Sequence, residues 1–328
     1  MPRHLIPRTR VAALLSAAAS KRVVVIGDAM LDVYLQGDAD RVSPEAPVPI
    51  VRVRGRRDAL GGAANVARNV SAIGASASLV AAIGSDAPGE RIRALFKELH
   101  GASASLVQVA RPTTTKTRVV ARAQQLLRVD EEEDSDLTAT AADELAAASV
   151  AAIDRADALV LEDYNKGVLT PRVIEAAIAR AASRKIPVVV DPKYRHFFVY
   201  RGSTVFKPNR RELEAALGAA VDLEHPEALR VAFDKLACDH LLLTLGERGM
   251  TLLSADGSVL AIPTTAREVY DVVGAGDTVS AYVATMLAAG ATAREAAIIA
   301  NFAAGVEVGK LGAQTVSPAE VLAAYDGT

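Results

Sequence analysis

The residues best suited to chemistry in this 328-residue chain lie at 271–280, Asp-Val-Val-Gly-Ala-Gly-Asp-Thr-Val-Ser. The turn Gly274-Ala275-Gly276 leads into an apolar run, Val279 to Ala289, that reads as a helix over 275–289. Paired glycines let a backbone bend sharply and point successive amides the same way. With the positive end of a helix behind them, such amides cradle an anion such as a transferring phosphoryl group. Asp277, on the first turn, is a carboxylate placed to take a proton from an attacking hydroxyl. An aspartate in a first turn also stabilises a helix with no chemistry at all. These ten residues alone leave both readings open.

Other segments carry polar groups at positions where ligands bind. Gly61-Gly62-Ala63-Ala64-Asn65 places paired glycines at a helix entrance, and Asn65 offers a donor and an acceptor for sugar hydroxyls. Asp32, just past the first strand, can accept further hydroxyl hydrogen bonds. Glu162-Asp163-Tyr164-Asn165-Lys166-Gly167 closes one strand and Asp191-Pro192-Lys193 another. Open α/β sheets take ligands at that carboxyl edge. Asn209 and Glu212 share a helical face at i, i+3. They could hold hydrated Mg²⁺ beside nucleotide phosphates, or equally form an N-cap with a capping-box glutamate.

Absent motifs narrow the chemistry. No G-x-x-x-x-G-K-[ST] loop occurs, and the first strand ends Ile26-Gly27-Asp28 without a dinucleotide fingerprint. Cys and His do not cluster at metal-ligand spacing, which argues against zinc. A net charge of −2 gives no reason to expect nucleic acid or an anionic membrane as partner. The one cysteine, Cys238, excludes a disulfide framework and fits a reducing cytoplasm.

The elements that must position these groups alternate as βαβ units, the pattern of an α/β fold with a mostly parallel sheet. Core strands are expected at 23–27, 78–83, 158–162, 187–191, 204–207 and 240–245. Helices are expected at 62–73, 89–99, 170–183, 210–217, 226–237, 275–289 and 293–308. The basic and apolar start of the chain reads as an amphipathic surface helix rather than a secretory leader. No apolar run reaches the roughly 18 residues of a membrane span. We expect one domain over 1–328. Two β-rich segments, 33–56 and 113–130, fit no crossover helix. They read as a small sheet projecting as a lid, the second as a hairpin turning near Ala123-Gln124. Val48, Ile50, Val51, Val119, Val120 and Leu126 would leave an apolar face on it, and a two-fold homodimer through the lids would cover that face.

Together these motifs resemble the ribokinase-like (PfkB) carbohydrate kinases, whose fold is a three-layer α/β/α sandwich with a small β lid. Gly61-Gly62 resembles the family's N-terminal signature, Asp271 to Asp277 its C-terminal one, and Asn209-Arg-Arg-Glu212 its N-x-x-E motif. Thr244-Leu-Gly246-Glu-Arg-Gly249 resembles its nucleotide-contacting strand and turn. Arg41 to Ile50, Thr115 to Arg118, Gln124 to Asp130 and Asp163 to Gly167 resemble one subgroup, the D-glycero-β-D-manno-heptose 7-phosphate kinases.

The resemblance implies ATP and Mg²⁺, with Asp277 as base and Gly274, Ala275 and Gly276 around the transferring group. It implies Asn209 and Glu212 at the metal, Glu212 through water, and nucleotide contacts at Thr244, Gly246 and Gly249. Asp32, Gly61, Gly62, Asn65, Asp163 and Asn165 would meet the sugar. Lys116, Arg122, Arg128, Lys166, Lys193 and Arg195 are candidate cations for its 7-phosphate. A monovalent cation near Asp271 and Gly312 is a further implied cofactor. Many subgroup members carry a fused nucleotidyl-transferring domain, so the resemblance implies a stand-alone kinase working with a separate nucleotidyltransferase. The alternatives are a kinase of another sugar and a non-catalytic sugar-binding regulator. The joint presence of Asp277, the glycine turn and the Asn209/Glu212 pair argues against the regulator.

Overall fold

The computed structural model describes residues 6–121, 124–222, 229–266 and 268–327. Its centre is a buried strand, β1 (Arg22–Gly27), whose Val23-Val24-Val25-Ile26 run suits a parallel sheet covered on both faces. Val23 and Val25 enter one core cluster while Val24 and Ile26 enter the other, as the two-residue period of a strand dictates.

β1 pairs in parallel with β4 (Ser76–Gly84) and β8 (Ala158–Glu162). The sheet extends through β9 (Val188–Asp191), β10 (Val205–Phe206) and β11 (His240–Thr244), and on the other side through β5 (Ser103–Val109). Antiparallel β12 (Met250–Ser254) and β13 (Val259–Ile262) complete the order β13-β12-β11-β10-β9-β8-β1-β4-β5.

Helices α1 (Arg8–Ala18), α2 (Ala63–Ile73), α3 (Ala87–Lys97), α8 (Ala275–Ala288), α9 (Ala293–Glu307) and α10 (Pro318–Asp326) contribute to the first cluster. Helices α4 (Ala139–Ile153), α5 (Pro171–Arg184), α6 (Arg210–Leu217) and α7 (Arg230–Leu236) contribute to the second. The result is the expected three-layer ribokinase-like arrangement. α1 buries Val11, Leu14, Leu15 and Ala18, an i, i+3, i+4, i+7 stripe. Among the described residues, no helix is long and apolar enough to cross a membrane.

A second sheet has the order β3-β2-β6-β7. It comprises β2 (Ala29–Val42), β3 (Pro49–Gly62), β6 (Thr115–Ala121) and β7 (Gln124–Glu131). The expected turn of the second hairpin falls largely on 122–123, outside the described residues, and so does Arg122. β2 and β3 are longer than expected because they run unbroken into the main domain, ending at the glycines that start α2.

Several elements had escaped the sequence reading. α4 is alanine-rich, so its buried stripe of Ala142, Leu145, Ala146 and Ser149 hardly stands out by residue type. β5, the β12–β13 pair and α10 were also unanticipated. The helix expected over 226–237 is described only as Arg230–Leu236.

Candidate active site

The carboxyl ends of β1, β8, β9 and β11 and the start of α8 converge on one edge of the large sheet, the edge where α/β sheets bind ligands. Gly274 is the N-cap of α8 with φ 97, a left-handed conformation that suits glycine. A Cβ placed at Gly276 would stand 3.7 Å from both Asp191 Oδ2 and Lys207 Nζ, so the turn lies directly over that ion pair.

Asp277 follows on the first turn and is 4% exposed. Asn65 Nδ2 donates to its Oδ2 at 2.5 Å and Tyr164 Oη donates to its Oδ1 at 2.8 Å. Burial pushes the Asp277 carboxyl up to about 6 against the pull of these two donors. It is thus mostly ionised at neutral pH while remaining a useful proton acceptor. Asn65 is fixed in turn: Asn69 Nδ2 donates to its carbonyl at 3.0 Å, and Thr278 Oγ1 donates to Asn69 Oδ1 at 3.3 Å, tying α2 to α8.

A pocket of about 250 Å³ opens in front of Asp277. Asp32, Gly62, Asn65, Lys116, Arg118, Arg128, Tyr164, Gly274 and Ala313 are among its lining. The pleat of the small sheet explains the cations. Asp32 is the register partner of Lys116, Lys116 of Asp130, and Arg118 of Arg128, so these side chains rise on one face. Arg118 Nη1 lies 2.5 Å from Asp32 Oδ1, and Arg128 Nε 2.9 Å from Asp130 Oδ1.

Behind the glycine turn, on the other side of Asp277, lie buried ion pairs. Lys207 Nζ meets Asp191 Oδ2 at 2.6 Å, and Lys193 pairs with Glu212. Burial opposes the charge on both lysines, but the neighbouring carboxylates outweigh it and raise both. Asn209 caps α6 and forms the full capping box with Glu212, whose Oε2 accepts from Asn209 N at 2.8 Å. That is the structural alternative for this motif, and it leaves Glu212 buried within reach of Lys193. Thr244 bridges to Asn209, which brings two of the nucleotide candidates together. Gly246 and Gly249 have φ 62 and 85, and a Cβ on Gly249 would lie 2.2 Å from Ile262 O.

Some expected sugar contacts sit elsewhere. Asp163 is buried and accepts from Asn165 N and Tyr200 Oη, both at 2.7 Å. Asn165 adopts φ 55 and accepts from Arg195 N. Both are absent from the pocket lining because they shape the loop after β8. Asp28 pins the same loop by accepting from the backbone N–H of Tyr164, Lys166 and Val168. The side chain this loop delivers is Tyr164. Gly61 stands behind the lining, where a Cβ would lie 2.6 Å from Asp32 Oδ2. Lys166 pairs with Glu132 at 2.8 Å, Lys193 with Glu212, and Arg195 with Asp136 at 3.2 Å, and none of the three lines the pocket.

The sequence places Glu162, Tyr164 and Asp191 in polar clusters at the ligand-binding edge but singles out none of these three, nor Arg118 or Lys207. Arg118 was findable, since it stands two residues from Lys116 on a strand and so shares its face.

The chain matches the pfkB family of carbohydrate kinases over residues 20–320. It belongs to that family. As a member it is an ATP-dependent sugar kinase. It is 45% identical over 321 residues to the protein named "Bifunctional protein HldE" of Rhodospirillum rubrum, covering 97% of this chain and 65% of that protein. The protein of the same name in Gluconacetobacter diazotrophicus is 46% identical over 308 residues, covering 93% and 64%. The kinase chain thus spans about two thirds of these relatives' length. Their name assigns two functions to one protein, which does not support the expectation of a separate nucleotidyltransferase.

Two solved structures share the fold. A ribokinase from Arabidopsis thaliana, complexed with ribose and ATP, gives a TM-score of 0.70 at 19% identity, covering 93% of this chain and 98% of that one. The phosphofructokinase-2 of Escherichia coli gives 0.77 at 18% identity, covering 94% and 98%.

Proposed function

We propose that this kinase transfers the γ-phosphoryl group of ATP to the anomeric hydroxyl of D-glycero-β-D-manno-heptose 7-phosphate. The product would be the 1,7-bisphosphate, on the way to a nucleotide-activated heptose for the lipopolysaccharide inner core. One observation carries this reading. The pocket has a buried, held carboxylate at one wall and the cations Lys116, Arg118 and Arg128 at the other, which suits a sugar with a hydroxyl to activate and a phosphate to bind.

In this reading Asp277 takes the proton of the attacking hydroxyl while Asn65 and Tyr164 keep its two oxygens aimed. Amides of the Gly274-Ala275-Gly276 turn meet charge on the transferring group, where each well-placed donor is worth about 3 kcal/mol. Lys207, under Gly276, adds a fixed positive charge. Thr244, Gly246 and Gly249 border the nucleotide, and Asp32, Gly62 and Asn65 meet the sugar. Mg²⁺, when bound, offsets the charge of the nucleotide's phosphates. Glu212, beside Asn209, fits such an ion through a water, as a carboxylate at the end of the nucleotide edge. A monovalent cation near Asp271 and Gly312 remains part of this reading; the Asp271 carboxylate accepts from Gly312 N at 3.1 Å.

We place the reaction in the cytoplasm, where ATP and sugar phosphates are met. We also propose a homodimer through the small sheets. Val42, Val53, Leu127 and Val129 are each 46% exposed or more on those strands, and Val48, just before β3, is 52% exposed, an apolar surface that a second copy would cover.

The test is ADP release with heptose 7-phosphate, the unphosphorylated heptose and a panel of ketohexose phosphates. We expect kcat/KM for the heptose 7-phosphate to exceed that for the unphosphorylated sugar by roughly 10²-fold or more, because the latter leaves the cations unmatched. Equal values would contradict the substrate assignment, and a ketohexose phosphate turned over faster would replace it.

A further inference from the structure

Glu162 ends β8 with 0% exposure, and neither of its carboxylate oxygens has a hydrogen-bond partner among the described residues. Its strand neighbour is Asp191 on β9. The charged groups around it are Asp191, Asp277 on α8, Lys207 after β10 and Lys193 after β9. Both lysines are engaged elsewhere, Lys207 with Asp191 and Lys193 with Glu212. A buried carboxylate with no counter-charge is strongly unfavourable. Taking up a proton does not cure this, because a buried carboxylic acid still has one O–H to donate and oxygens that need donors.

The neighbourhood is short of positive charge. Glu162, Asp191, Glu212 and Asp277 are carboxylates, answered by Lys193 and Lys207 and, at Asp277, by Arg68. The glycine turn that would cradle phosphate lies directly above Asp191 and Lys207. Among the described residues no three carboxylates or other ligating side chains converge. Mg²⁺ does not require such a cluster, since it takes one or two carboxylates and fills its other positions with water and substrate phosphate. Glu212, the ligand expected from the sequence, has one oxygen accepting from Asn209 N and the other held by Lys193. Glu162 has both oxygens uncommitted and is the strand neighbour of Asp191 beneath the glycine turn, whereas Glu307, whose oxygens are also uncommitted, stands by Gly274 and interacts with Asp271 as well as Asp277.

We propose that Glu162 is a direct carboxylate ligand of the divalent cation that accompanies the nucleotide in this site, with Glu212 acting only through water. The proposal rests on the nucleotide-kinase reading above.

The test titrates Mn²⁺ into the full-length protein, with and without ADP, and follows free Mn²⁺ by its paramagnetic resonance. Wild type should bind one Mn²⁺ per chain when ADP is present. Glu162→Gln should bind it at least about tenfold more weakly, and Glu212→Gln should lose less. In metal-free buffer Glu162→Gln should melt no lower than wild type, since it removes an uncompensated charge, yet it should gain no thermal stability from Mn²⁺ with ADP where wild type does. An independent arm needs no variant. Iron(II) with ascorbate and peroxide, bound in place of Mn²⁺, should cut the wild-type backbone at residue 162, as read by mass spectrometry. Equal Mn²⁺ affinity in Glu162→Gln and wild type, or iron cleavage confined to 209–212, overturns the assignment while leaving the kinase reading intact. Wild type that binds no Mn²⁺ with or without ADP overturns the assignment as well. Failure of the kinase reading shows separately, as wild type that releases no ADP with any sugar.

Discussion

The two walls of the pocket are built on different principles. The Asp277 wall is buried, and backbone and short side chains fix it: the Gly274 turn, Asn65 from α2, and Tyr164 from a loop that Asp28 pins. On the wall facing it, on the small sheet, Arg118 is buried against Asp32, while Lys116 and Arg128 are held by acids that are themselves partly exposed. Arg128 keeps half of its side chain in solvent, and Lys116 lies 3.8 Å from Glu132 and 4.0 Å from Asp130. In the proposed reading, a pre-set base suits the chemical step, because fixed groups need no reorganisation as charge develops. Lys116 and Arg128, on exchangeable and partly exposed acidic partners, suit recognition, because an arriving phosphate can displace those partners at little cost.

Breaking the buried wall should have the largest effect. Asp277→Asn keeps shape and one acceptor but cannot take a proton, so kcat should fall by roughly 10²–10⁴-fold with sugar affinity little changed. Near-normal turnover would remove Asp277 from the chemistry. Breaking the other wall should act on a different constant. Lys116→Ala with Arg128→Ala should raise KM for heptose 7-phosphate by about 10–100-fold and leave kcat within a few-fold. A loss confined to kcat would mean that these cations serve the reacting group.

The smallest catalytic effect should come from the outer face of the small sheet. Val53→Asp with Leu127→Asp places two charges on strands where those side chains are 48% and 56% exposed. Light scattering should then show monomer, with only a modest rise in KM for the sugar. A double variant that remains dimeric would place the interface elsewhere. Val51 and Val119, which the sequence counts in the apolar face of the lid, are half-buried and would report on folding as well.

The same contrast governs what the sequence disclosed. The buried wall was legible because its function is local: Gly274, Gly276 and Asp277 sit within four residues, and a glycine turn entering an apolar run has few other uses. The parallel sheet was legible for a similar reason, since Val23 to Ile26 can be buried on both faces in only a few ways. Asp163 and Asn165 misled because a polar cluster at a strand end contains both ligand-facing and loop-shaping groups, and only the fold sorts Tyr164 from its neighbours. The cations could not be ranked, because a long side chain several bonds from its backbone chooses among partners distant in sequence. Lys193 went to Glu212 and Lys166 to Glu132. Glu162 could not be singled out within its polar cluster, since what marks it is the absence of a hydrogen-bond partner among the described residues.

The central claim is that burial tunes Asp277 to serve as the base, and the pH dependence of kcat/KM in wild type and Tyr164→Phe tests it most directly. The working form is the carboxylate and its value is raised to about 6, so activity should be present above that pH and fall about tenfold per unit below it. Tyr164 Oη donates to the ionised form. Removing that donor should therefore move the acid limb to higher pH and lower kcat/KM at neutral pH by about tenfold. Substrate phosphates also titrate near about 6, but they titrate identically with both enzymes, so movement of the limb between them isolates the protein group. A limb shifted upward in Tyr164→Phe is the predicted result. A profile that is flat between pH 5 and pH 7, or a limb that stays in place in the variant, would contradict the account.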